Sequence, residues 1–262
     1  MASKHINFVS KNNGGGTPMN VRKITNAYYS KFCCSNIDLL DKGTYFIESS
    51  ERNANMLGFG CKFSIYVFKS DEKTIISYSP EYRDKLNVVK LENNPKIIID
   101  LLLEKLPEIV IRKLFLYTGN KTLDTTGVIK LCKEHYYDYE IFFLSLHPNA
   151  NISDGWLKEY FEEKAAKGYM FGYFDKDKLV TVSDAPDMPY MNGIIQHTGI
   201  ATVKEYRNKG YAKKVAYFAA EELIKSGICP QWETEKSNIA SINLAKSIGY
   251  QEIAEAYILE ER

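Results

Sequence analysis

Glu205-Tyr206-Arg207-Asn208-Lys209-Gly210-Tyr211-Ala212 is the stretch on which the reading of this chain turns. It is a basic, glycine-interrupted turn with strand formers before it and a helical pattern after it. Upstream, Gly193 to Val203 contains Ile194, Ile195, Ile200 and Val203 with β-branched Thr198 and Thr202, which predicts one continuous strand. Downstream, Ala212, Val215, Ala216, Ala219, Ala220, Leu223 and Ile224 repeat at i, i+3, i+4 and i+7, the spacing of a single buried helical stripe. Lys213, Lys214, Glu221, Glu222 and Lys225 take the opposite face, and Gly227 ends the helix. Strand, basic turn, helix is an arrangement that binds anions. The first helical turn has backbone N–H groups without intrahelical partners, and Gly210 lets a ligand approach the backbone. Arg207 and Lys209 add positive charge. The turn is neither G-x-x-x-x-G-K-[ST] nor G-x-G-x-x-G, so those two nucleotide loops are set aside.

A second segment narrows the choice. Gly227 to Thr234 reads as another strand. After it, Ser237 or Asn238 is suited to N-cap a short helix, with Ile242, Ala245 and Ile248 at helical spacing and Gly249 at its end. Tyr250 to Leu259 reads as a further strand. In this order the chain resembles the GNAT acyltransferase superfamily. Arg207-x-x-Gly210-x-Ala212 is similar to the family's R/Q-x-x-G-x-G/A pyrophosphate motif, and Asn238, Ser241, Leu244, Gly249 and Tyr250 are similar to its second motif. Thr202, Pro230-x-Trp232 and Ser241-x-x-Leu244-Ala245 look most like the zwittermicin-resistance type. The resemblance is strong over about Tyr169 to Tyr257 and weak or absent before it.

The resemblance implies an α+β protein. Residues 126–262 are expected to form a GNAT fold, a mixed and mainly antiparallel sheet flanked by helices. Residues 19–125 are expected to form a smaller α+β domain of unknown role, and residues 1–18 a flexible leader. It also implies acetyl-CoA as co-substrate, direct attack by a primary amine on the thioester, and no metal. Ile200, Ala201, Thr202 and Val203 would meet the pantetheine arm. Arg207, Asn208, Lys209, Gly210, Tyr211 and Ala212 would hold the pyrophosphate, and Asn238 and Ser241 would approach from the other side. Where many family members carry a tyrosine that protonates the leaving thiolate, this chain has Ala245. Tyr250 and Tyr217 are present nearby in sequence, but the motif gives neither that role. A thiol of pKa about 8.5 is a tolerable leaving group, so the loss need not abolish activity.

The residues leave two candidates for the base. Glu233 lies on the strand beside the expected thioester, with Gln231 and Glu235 on its face and Trp232 and Thr234 on the other. His197 lies on the preceding strand. His135 and His147 have no cysteine or carboxylate grouping and read as partly exposed histidines rather than ligands.

Earlier elements are readable in outline. Tyr169 to Phe174 and Leu179 to Ser183 flank a polar turn and read as a hairpin. Ser153 or Asp154 should cap a helix running to Lys167, and Ala185 to Tyr190 is a proline-bearing loop. Phe63 to Phe68, Thr74 to Ser79 and Val88 to Leu91 read as strands. Asn94-Pro95 opens a helix that is apolar nearly all round from Ile97 to Leu106, and Leu114 to Tyr117 is a further short strand.

Composition sets bounds on partners. Of 262 residues, 34 are Lys or Arg and 33 are Asp or Glu, giving a net charge of +1. That balance gives no whole-chain attraction to nucleic acid or membrane, so neither is expected as a partner. Five cysteines without C-x-x-C spacing fit reduced thiols and a cytoplasmic setting. The acceptor expected is a small-molecule amine, with homodimerisation open. A protein or tRNA amine, or a non-catalytic acetyl-CoA sensor, are the alternatives.

Overall fold

The computed structural model describes residues 19–55, 57–186 and 188–261; the expected leader at 1–18 lies outside them. In chain order the strands are β1 (Gly43–Glu48), β2 (Lys62–Lys69), β3 (Lys73–Tyr78), β4 (Val110–Tyr117), β5 (Val128–Lys130), β6 (Phe171–Asp175), β7 (Lys178–Ser183), β8 (Ile195–His197), β9 (Ala201–Thr202), β10 (Cys229–Glu235) and β11 (Tyr250–Glu261). The helices are α1 (Val21–Phe32), α2 (Arg83–Leu86), α3 (Pro95–Lys105), α4 (Tyr136–Leu146), α5 (Trp156–Lys167), α6 (Tyr211–Lys225) and α7 (Ile239–Ser247). This is the expected α+β architecture, a mixed sheet flanked by helices.

Among the described residues, one sheet runs β1-β3-β2-β11-β4-β10-β8 and a second runs β5-β6-β7-β9. The first draws strands from both sides of residue 125. β4 lies between β10 and β11 and is antiparallel to both. β1 with β3 and β8 with β10 are the parallel pairs.

Helices cover both faces of the larger sheet. α1 presents Thr25, Tyr28, Tyr29 and Phe32, a helical stripe, to the face carrying Leu114, Ala254 and Ala256. Its N-terminus is capped by the Asn20 side chain, which accepts from Lys23 N at 3.0 Å. α3 and α7 pack on the opposite face, α3 over Ile65, Val67 and Tyr257 and α7 over Trp232, Phe115 and Tyr250. α6 reaches across to both sheets: Ala216 and Ala220 meet Trp232, while Val215 and Ala219 meet Phe171 of β6. The alanine stripe is what permits this close seating. α4 and α5 close the far face of the smaller sheet over Leu179 and Val182.

Several expectations are corrected. Gly193 to Val203 is not one strand. It divides into β8, paired with β10, and β9, paired with β7. Thr198 N still reaches Gln231 O at 3.3 Å, whereas Gly199 N has turned to Asp184 O at 2.8 Å. Each half is satisfied by a different neighbour, so the two sheets diverge at this point. Val88 to Leu91 is not a strand but includes a 3₁₀ turn at Val89–Leu91, with Val88 and Leu91 exposed. α3 is buried on one face only, through Ile98, Ile99 and Leu102, and Ile97 is exposed. The residue at the start of α5 is Gly155 at φ 84°, with Asp154 Oδ1 accepting from Trp156 N at 3.4 Å. α1 and β1 carried no signal picked up in the sequence.

Among the described residues no helix is long and apolar enough to cross a membrane. All five cysteines are free thiols.

Gly199 is required for steric reasons. A Cβ there would overlap Asp184 Oδ1 and stand 2.9 Å from the Asp184 carbonyl oxygen. Gly199→Ala is expected to destabilise the fold by about 1–3 kcal/mol, the usual cost of overpacking. Urea unfolding measures this, and an unchanged midpoint would contradict the packing described.

Candidate active site

Where the two sheets diverge, β9 and β10 each present an open edge. β9 bonds to β7 through Ala201 and Val203, so alternation turns the backbone groups of Ile200 and Thr202 outward. β10 is paired with β8 only as far as Gln231, and beyond it the Glu233 carbonyl points across the gap. The opening joins the face covered by α6 and α7 to the face covered by α1.

On the α6 side lies the basic turn. Asn208 and Gly210 are left-handed, at φ 63° and 84°, which aims successive backbone N–H groups outward ahead of α6. A Cβ at Gly210 would meet nothing within 4 Å. Arg207 Nε donates to Thr202 O at 3.2 Å, fixing the turn to β9. Lys209 lies 4.5 Å from the centre of the Tyr206 ring, and Tyr211 donates to Asp175 Oδ2 at 3.0 Å while stacking on Tyr173. Asn238 is the N-cap of α7, its Oδ1 accepting from Ser241 N at 3.1 Å. Ser241 Oγ accepts from Trp232 Nε1 at 3.1 Å. The side-chain oxygens of both residues thus make intramolecular hydrogen bonds that anchor α7 beside β10.

On the α1 side lies a cleft of about 240 Å³ lined by residues that include both base candidates, His197 and Glu233. The Glu233 carboxylate is held on both oxygens: Arg112 Nη1 donates to Oε1 at 2.7 Å and Gln231 Nε2 donates to Oε2 at 3.1 Å. Gln231 Nε2 also donates to the Tyr29 hydroxyl at 2.7 Å. Tyr28 and Tyr29 both have raised pKa values, first from burial and then from the Glu233 charge. Arg112, the residue sequence reasoning missed, comes from β4. Only its pairing opposite Glu235, one alternation along from Glu233, brings it here.

His197 is arranged differently. Its Nε2 lies 3.3 Å from Glu233 O, and a carbonyl only accepts, so Nε2 carries the proton. Nδ1 is then a lone pair. It is buried and has no hydrogen-bond partner among the described residues. Burial lowers the imidazole pKa, with Glu233 pulling the other way, so the ring is neutral near pH 7. Asp184 stands beside this group, its carboxyl pKa pushed up by burial and its Oδ2 accepting from the Tyr160 hydroxyl at 3.3 Å.

Tyr217 donates to Lys121 O at 3.0 Å. The Tyr250 hydroxyl is buried beside that of Thr198. Ala245 is fully buried in the same cluster as Trp232, Tyr117 and Tyr250, which fill the space around it. No grouping of three or more His, Cys, Asp or Glu side chains that could hold a metal ion occurs among the described residues.

Residues 157–259 match the family model for GNAT acetyltransferase. That segment is similar to GNAT acetyltransferases. Several solved structures are similar to the chain. They include an acetyltransferase of the GNAT family from Colwellia psychrerythraea (16% identity over 72% of this chain and 77% of that one, TM-score 0.49). A GCN5-related N-acetyltransferase-like protein from Streptococcus suis shows 14% identity over 92% and 99%, with a TM-score of 0.44. The aminoglycoside N-acetyltransferase AAC(6')-Iy in complex with CoA shows 19% identity over 48% and 88%, with a TM-score of 0.39. No curated protein matches the chain.

The Arg112–Glu233 pair yields a direct test. Arg112→Met strands a carboxylate whose side chain is only 19% exposed, while Arg112 itself is 37% exposed. The expected loss is about 1–2 kcal/mol, below the 3–5 of a fully buried pair because solvent screens the arginine. Adding Glu233→Gln should recover most of it. A double mutant as unstable as the single one would contradict the pairing.

Proposed function

We propose that this protein transfers an acetyl group from acetyl-CoA to a primary amine of a small molecule. The observation that carries this reading is the open seam between β9 and β10, with an anion-binding turn on one face and a neutral, unpartnered imidazole nitrogen on the other. The turn fits a pyrophosphate. Asn208 and Gly210 are left-handed ahead of the first turn of α6, Gly210 leaves space for close approach, and Arg207 and Lys209 bring charge. When bound, acetyl-CoA supplies an activated acetyl thioester. The free backbone edge of Ile200 and Thr202 suits the pantetheine arm, although Thr202 O is already accepting from Arg207.

The proton inventory favours His197 as base. An amine arrives as ammonium and must lose a proton before it attacks. Each Glu233 oxygen already accepts one hydrogen bond, from Arg112 and from Gln231, whereas His197 Nδ1 accepts none. Glu233 instead positions His197, since its carbonyl fixes the tautomer. The amine nitrogen forms the new bond to the acetyl carbon and the carbon–sulfur bond breaks; of the two protons the ammonium nitrogen loses, His197 takes the one removed before attack and passes it to solvent, and the one shed after the bond forms goes to the departing thiolate. A group at Ala245 has no part in this scheme. The resemblance to the zwittermicin-resistance type supports a small-molecule amine over a macromolecule.

Two outcomes check the assignment. His197→Gln should lower kcat/KM by about 10²–10⁴-fold. In the parent protein kcat/KM should fall with acidification only below the ordinary histidine range near 6.5, because burial lowers the His197 pKa and keeps Nδ1 unprotonated. That acid limb should be absent from the variant. An unchanged profile would remove His197 from the role. Gly210→Asp places a carboxylate where the pyrophosphate is expected. Like-charge contacts cost several kcal/mol and each 1.4 kcal/mol is tenfold, so KM for acetyl-CoA should rise at least about tenfold. Full activity in that variant would overturn the turn's assignment.

A further inference from the structure

The acceptor cleft is only half built by the GNAT domain. Tyr28 of α1, Phe59 of the loop before β2, and Arg112 of β4 supply one side. Pro186 and Met188 of the loop after β7 face them, with His197, Glu233, Thr234 and Glu235 between. We propose that this cleft selects a monoamine in which the amino group is joined by a short chain to a single aromatic ring, and that it rejects the corresponding amino acids and polyamines. The proposal rests on the acetyl-transfer reading of the cleft and adds the substrate class.

Three features carry it. The first is the chemistry of the walls. Phe59, Pro186 and Met188 offer no side-chain donor or acceptor, so a polyhydroxylated or multiply charged body would lose its hydration without repayment. A flat apolar ring gains from burial, and Met sulfur and aromatic rings make favourable contacts with it. The rings are held in place before any ligand arrives. Tyr28 stacks on Tyr190 at 5.8 Å, and Phe59 packs on Phe32 at 5.6 Å and Phe63 at 5.8 Å. The second is size. A volume of about 240 Å³ falls below the range of about 300–1,000 Å³ typical of drug-sized ligands, so a ring and a short chain fill it.

The third is charge. Among the described residues the lining carries two carboxylates, Glu233 and Glu235, against one guanidinium, Arg112, and His197 is neutral. Arg112 is paired with Glu233, which leaves Glu235 as the uncompensated charge of the lining, exposed at the end of β10 and approached by the Ser237 hydroxyl at 3.5 Å. A single ammonium is attracted. A carboxylate attached beside it would meet Glu235 with no cation of the lining left to pair it. A second ammonium further along the chain would be driven onto Phe59 and Met188.

Equilibrium binding to the full-length protein saturated with coenzyme A tests this without relying on turnover. The probes are 2-phenylethylamine, phenylalanine, n-butylamine and spermidine. 2-Phenylethylamine should bind at least tenfold more tightly than each of the others. Phe59→Leu should reduce its advantage over n-butylamine at least fivefold, and Glu235→Gln, an exposed change that leaves the fold intact, should narrow the gap between 2-phenylethylamine and phenylalanine. Equal affinities, tightest binding of spermidine, or no effect of either substitution on these ratios would overturn the proposal. Thiol release on the same panel separates the two readings. Selective binding of 2-phenylethylamine without thiol release supports this substrate class and defeats the acetyl-transfer reading, whereas release with spermidine as the preferred acceptor does the reverse.

Discussion

The pair of backbone hydrogen bonds at Thr198 and Gly199 is the constraint on which the site depends. Thr198 N remains with Gln231 of β10, and the next residue, Gly199, bonds to Asp184 at the end of β7. Two consecutive amides thus belong to two different sheets. Backbone groups in a folded chain are obliged to find partners, and here that obligation pulls the sheets apart instead of joining them. The exposed edges of β9 and β10 follow directly. So does the position of His197, the last residue of β8, whose ring closes over the first unpaired carbonyl of β10.

The same constraint separates the two halves of the proposed site. The basic turn belongs to the layer beneath α6, because β9 leads straight into it and Arg207 ties it back to Thr202. The cleft belongs to the layer beneath α1, because Gln231, Glu233 and Glu235 alternate toward that side while Trp232 faces α7. The basic turn and the cleft therefore lie on opposite faces of one sheet. The seam between β9 and β10 lies between them.

How much of this was readable in the sequence depends on how local each signal was. The α6 stripe, the Asn238 cap, the hairpin of β6 and β7, and the core position of Trp232 all rest on residues within a few positions of one another, and they occur as expected. The strand division at Gly199 was hidden because Thr198, Ile200 and Thr202 are good strand formers on either side of it. Only the Asp184 side chain, distant in sequence, explains the glycine. Arg112 carried no motif, and its role follows from register alone. Val88 to Leu91 shows the converse error: the β-branched pair Val88-Val89 suggested a strand, but only Val89 is buried while Val88 and Leu91 are exposed, as suits a short 3₁₀ turn. His197 and Glu233 line one cleft, but which nitrogen and which oxygens are already engaged follows from contacts the sequence does not carry.

β4 lies between β10 and β11, and neither of those strands bonds to the other. A ribosome delivers β4 long before either neighbour exists. Through the synthesis of the intervening residues, β4 therefore has two edges awaiting partners that arrive last, and the sheet is closed only when β10 and β11 dock on opposite sides of a strand already in place. Assembly of this molecule is thus strongly non-local, a pattern that slows folding and lengthens exposure of strand edges. The geometry that brings Arg112, through β4, against Glu233 also makes the completed cleft a late event: its lining is not assembled until the final strands have been added.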